Sequence, residues 1–137
     1  MMQAIEVTVI KPKRGPYPSK PRQLLVPAEL IAEAVKLYKT RIAWRPAGDR
    51  AMHALMACAQ AFDVPFSALR EPETPAHTAL RQQSLAFARA ISLCEGLGPV
   101  THWTRIGRAF NCNHYNALYA HRVYGAALHI ELQRIMS

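Results

Sequence analysis

Acidic residues are scarce in this chain of 137: nine Asp and Glu stand against seventeen Lys and Arg, for a formal charge of +8 and a pI near 9.9. The nine are scattered, and none is placed with a His in a way that suggests an acid–base pair, so no enzyme is expected. Cysteine is nearly as sparse. Cys58, Cys94 and Cys112 lie far apart and are odd in number, which argues against a disulfide framework and against paired zinc ligands. Cys112, His114 and His121 lack zinc spacing, so neither metal nor cofactor is expected. There is no Gly-x-x-x-x-Gly-Lys-Ser/Thr phosphate loop, hence no ATPase of that type. No apolar run reaches the length of a bilayer span, and no secretory apolar segment follows Met1. The expectation is a reduced, cytoplasmic, nucleoid-associated protein with no membrane partner.

Half the residues are apolar, enough for one packed domain. The positive charge sits at the two ends. Residues 1–27 hold five cations and one anion, residues 71–100 two and three, and residues 101–137 four and one. Such a balance points to a polyanion. Residues 4–10 alternate Ile5, Val7 and Val9 with Glu6 and Thr8, a short strand pattern without a partner in the chain. Residues 11–22 combine four prolines with Lys11, Lys13, Arg14, Lys20 and Arg22. Proline denies them a helix, and they read as a flexible or polyproline-like basic arm, first of all a solvated linker and, as the alternative, an arm lying in a DNA minor groove.

The rest, residues 28–137, reads as one helical domain. After Pro27, Leu30, Ile31, Ala34, Val35, Tyr38 and Ile42 recur at helical spacing until Pro46 and Gly48. Asp49 is placed to cap a helix over 50–62, with Met52, Leu55, Met56, Ala59 and Phe62 inward. A short turn of helix follows Pro65, then the rigid turn Glu71–Pro75. The longest helix is expected over 77–94, ended by Glu95–Pro99. Three short helices remain: one from about Thr101, which is placed to cap it, to Phe110; one from about His114 to Tyr124; and one over 126–135 beyond Gly125. Asn111 suits a left-handed closing residue and Asn113 an N-cap.

The fold class expected is therefore all-α: a multi-helix bundle with a C-terminal helix-turn-helix, a short N-terminal extended segment and a basic Pro-rich arm. The informative stretch is Thr101–Val123. Two short helices meet at a tight turn in a basic neighbourhood, with Gly107 where the second must approach the first. Ala117, Ala120, His121 and Tyr124 make the core face of the second helix. The opposite face carries His114, Tyr115, Asn116, Tyr119 and Arg122. Asn pairs donor and acceptor with adenine, and Arg holds phosphate or guanine.

Ile106-Gly107-Arg108-Ala109-Phe110 followed by Asn113-His114 resembles the C-terminal DNA-binding domain of the bacterial replication initiator DnaA, a Trp-repressor-like helical bundle. Phe62-Asp63-Val64 through Leu69, and Arg81-Gln82, fit the same pattern, so the likeness spans about residues 52–124. It implies a double-stranded DNA-binding protein, a sequence-specific transcriptional regulator or a replication-related or phage-borne factor. His114 would stand at the family's base-contacting His, with Asn113, Tyr115, Asn116 and Tyr119 as further base readers. Arg81, Gln82, Thr101, Arg105, Arg108 and Arg122 would hold phosphates. The family's basic loop before the long helix is here the acidic Glu71–Pro75, which leaves any minor-groove contact to residues 11–22. The alternative is a protein-interaction module that keeps the fold without DNA readout. The strand at 4–10 and the helix at 28–43 are the candidates for a homodimer interface.

Overall fold

The computed structural model describes residues 21–94 and 101–137. The expected strand at 4–10, most of the basic arm (Lys11, Lys13, Arg14 and Lys20 included) and the break at 95–99 lie outside the described residues. Within them the structure is all-helical: α1 (Ala28–Trp44), α2 (Arg50–Ala61), α3 (Phe66–Arg70), α4 (Pro75–Ser92), α5 (Trp103–Ala109) and α6 (His114–Met136).

Local chemistry accounts for the boundaries. α1 buries Ile31, Ala34, Val35 and Tyr38 along one stripe, and stops at Arg45, where the following Pro46 disfavours a helical backbone. The Asp49 carboxylate accepts from the N–H groups of Ala51 and Met52 at 3.0 and 3.4 Å and so starts α2. α2 closes at Phe62, and Asp63 follows with a left-handed φ of 57°. The Thr74 hydroxyl accepts from His77 N–H at 3.1 Å, with Pro75 in the first turn. This cap starts α4 two residues earlier than its apolar spacing indicates.

α4 is the axis of the bundle. Gln83 through Ala88, then Ala90, Ile91 and Ser92, are buried. It packs most extensively on α6, while α1 pairs with α2 and α2 leans on α4. Phe87, Leu85, Ile91, Leu55, Leu128, Leu132 and Phe110 are fully enclosed. Each such side chain contributes about 1.5–3 kcal/mol of apolar transfer.

Two expectations about the C-terminal third are corrected. His114–Met136 is one continuous helix of 23 residues, not two helices parted at Gly125, and it is longer than α4. Gly125 is buried inside it, and a Cβ there would lie 2.8 Å from Nδ1 of His121. Glycine at mid-helix costs about 1 kcal/mol, which the packing of α6 on α4 outweighs. Residues just before 28 also join the core. Leu24, Leu25 and Val26 pack on the core, and buried Gln83 accepts the Leu25 N–H through Oε1 at 2.5 Å.

Candidate functional site

α5 and the start of α6 form a compact unit whose geometry follows from three residues. Asn111 takes the left-handed conformation, with φ of 59°. It allows Asn111 N–H to donate to the Arg108 carbonyl at 3.1 Å and Cys112 N–H to the Gly107 carbonyl at 2.8 Å, which closes α5 with both orphan carbonyls satisfied. Asn113 then opens α6, its Oδ1 accepting from Tyr115 N–H at 2.6 Å. Gly107 is the third. A Cβ at that position would stand 2.8 Å from the Cys112 carbonyl oxygen and 3.1 Å from the backbone of Asn113 and His114. Backbone cannot swing aside as a side chain can, so glycine sets how closely α6 approaches α5. Ile106 and Phe110 anchor the unit in the core, with Trp103 half-buried beside them.

Two arginines that the sequence reading passed over clip α5 at its ends. Arg70 Nε donates to the Ala109 carbonyl at 3.0 Å, and its guanidinium lies 5.7 Å from the Phe66 ring centroid. A cation on the last turn of a helix also meets the negative end of its dipole. Arg89 Nη1 donates to the Thr101 carbonyl at 2.8 Å and covers the Trp103 ring at 4.2 Å. Trp103 in turn meets the His121 ring at 5.3 Å. Burial, and then the neighbouring Arg89 charge, hold the His121 imidazole below its ordinary pKa, so it is neutral at pH 7. Both clips bond backbone carbonyls far away in sequence, and no residue spacing announces such a bond.

The exposed residues gather at the amino end of α6. Asn113, His114 and Tyr115 face solvent, and the His114 and Tyr115 ring centroids lie 4.3 Å apart with the rings tilted by 32°. Asn116 is half-buried beside them. Arg105 and Arg108 on α5 and Arg122 on α6 are exposed, and none forms a salt bridge to a described residue. Arg81 sits beside the turn, close enough to act on the Cys112 thiol, which burial pushes above its ordinary pKa against that charge. Gln82 is half-buried, and its Oε1 meets no hydrogen-bond partner among the described residues.

Four expectations are revised here. Thr101 is 5% exposed and its carbonyl is held by Arg89, so it is neither the cap of α5 nor a surface phosphate contact; His102 occupies the N-cap position, without a side-chain cap bond. Asn113 spends its Oδ1 on the cap, which leaves its amide nitrogen as the free edge. Tyr119 is half-buried and packs on the core, because its place on α6 turns it toward Tyr124 instead of outward. Arg22 is no part of a free arm. Its N–H donates to the Val123 carbonyl at 2.9 Å and its side chain bonds Tyr124.

Among the described residues no three His, Cys, Asp or Glu side chains could share a metal ion, and no helix is long and apolar enough to cross a membrane. No model of a known protein family matches the chain, and neither a curated protein nor a solved structure matches it.

Proposed function

We propose that this protein binds double-stranded DNA as a sequence-specific regulator, using α5, the Asn111 turn and α6 as a helix-turn-helix with the first turns of α6 in the major groove. One observation carries the reading. From Thr101 to Ile130 there is no Asp or Glu, and in that stretch Arg105 and Arg108 on α5 and Arg122 on α6 stand exposed, as do Asn113, His114 and Tyr115 at the amino end of α6. A cationic rim around a cluster of polar and aromatic side chains is the arrangement that positions on phosphates and reads base edges. His114, Tyr115, Asn116 and the free amide edge of Asn113 are the readers in this proposal. Arg105, Arg108, Arg122 and Arg81 hold the backbone. The likeness of these motifs to the DnaA DNA-binding domain supports the same assignment.

Selection of bound sequences from a random duplex pool tests it. A regulator enriches a defined site, and its retention falls steeply as salt is raised. Retention that never rises above that of a neutral protein, at any salt, would overturn the proposal and leave the interaction-module reading.

A further inference from the structure

A cleft of about 370 Å³ opens between the α1–α2 turn and the start of α5. Gly48, Asp49 and Arg50 line one wall, His102 and Arg105 the other. The charge on these walls is lopsided. The Arg105 guanidinium and that of Arg50, whose side chain also bonds Tyr38, share these walls with a single carboxylate, Asp49, which is already engaged by the Ala51 and Met52 N–H groups. A second feature stands at the same end of α1. Trp44, two residues before the first residue of the cleft, is 81% exposed, far more than any other large apolar side chain among the described residues. Arg45 beside it is exposed as well. An open indole next to a cationic recess offers a flat apolar face for a sugar and positive charge for a phosphodiester.

Arg105 joins this recess to the interface described above, since Arg105 and Arg108 are neighbours three apart on α5. We propose, resting on the DNA-binding reading, that the cleft takes a backbone phosphate of the same duplex, with Arg50 and Arg105 as its two arms and Trp44 against the adjoining sugar. The cleft lies at the start of α5, whereas α6 begins beyond its other end, so this contact falls outside the bases that α6 reads. The footprint thus extends past the bases that α6 reads, onto one flank.

Ala47 lines the cleft, is exposed, and lies in the turn between helices, so a charge can be placed there without disturbing packing. The experiment compares Ala47→Glu and Ala47→Lys with Gln133→Glu, an exposed control near the far end of α6, using retention of mixed-sequence duplex DNA across a salt series. Ala47→Glu is expected to weaken retention about tenfold at low salt and Ala47→Lys to tighten it, with Gln133→Glu changing it much less. Trp44→Ala is expected to weaken retention with little change in salt slope. Unchanged melting temperatures confirm that the fold is intact. Ala47 variants that track the Gln133 control, in a wild type that does bind duplex, overturn the cleft and spare the DNA reading. A wild type that retains no duplex overturns both.

Discussion

At Gly107 a single hydrogen stands where any other residue would bring a carbon, and the obstacle is the backbone of the next helix. Gly107→Ala is expected to lower stability by about 1–3 kcal/mol through overpacking, more than alanine's helix preference returns. Denaturant unfolding checks this, and an unchanged midpoint would show that α6 can slide away at no cost. Asn111 gives the opposite prospect. Its φ of 59° is tolerated by asparagine but costs glycine nothing, so Asn111→Gly should raise stability by about 0.5–1 kcal/mol. Gly107 and Asn111 were both readable before any coordinates, because their roles depend on residue type alone. Thr101 was not. Its hydroxyl suits an N-cap, yet its side chain is buried and its carbonyl is held by Arg89, and the N-cap position falls one residue later, at His102.

Helices were legible where apolar spacing and a capping side chain agreed, as at Asp49 with α2 and at Asn113 with α6. They were misjudged where tertiary packing outweighs local preference. Gly125 reads as a break, but the helix runs through it because α4 holds both halves. The junction of α5 with α6 has its own pH dependence. His121 is held below its ordinary pKa by burial and by Arg89, so the folded state binds the proton less well than the unfolded chain. Its contribution is therefore complete above the unfolded value of about 6.5 and shrinks as pH falls from there through the lower folded value. Melting temperature should decline over that window, and His121→Gln should flatten the decline. A variant with the wild-type profile would show that another group is responsible.

Across the whole molecule, charge and packing divide the labour: α1, α2, α4 and the inner sides of α5 and α6 supply a hydrocarbon core, and the outer sides of α5 and α6 carry exposed arginines. Sequence-wide charge counts locate the excess of cations along the chain, but not which of them are spent inside. Arg22, Arg70 and Arg89 belong to the scaffold, while Arg105, Arg108 and Arg122 remain outside. If those three hold phosphates, each substitution to Gln should reduce the slope of log affinity against log salt by about 0.9. An unchanged slope at all three positions would place the polyanion elsewhere. The core carries its own reporter. The Cys58 thiol is fully enclosed, next to Ser84, and burial pushes its pKa up to about 12. It is shut off from reagent and almost never a thiolate, so alkylation must wait until α2 lifts from α4. With Cys94 and Cys112 replaced by Ser, the rate at which iodoacetamide marks Cys58 becomes a clock for opening of the domain, read without denaturant or attached dye.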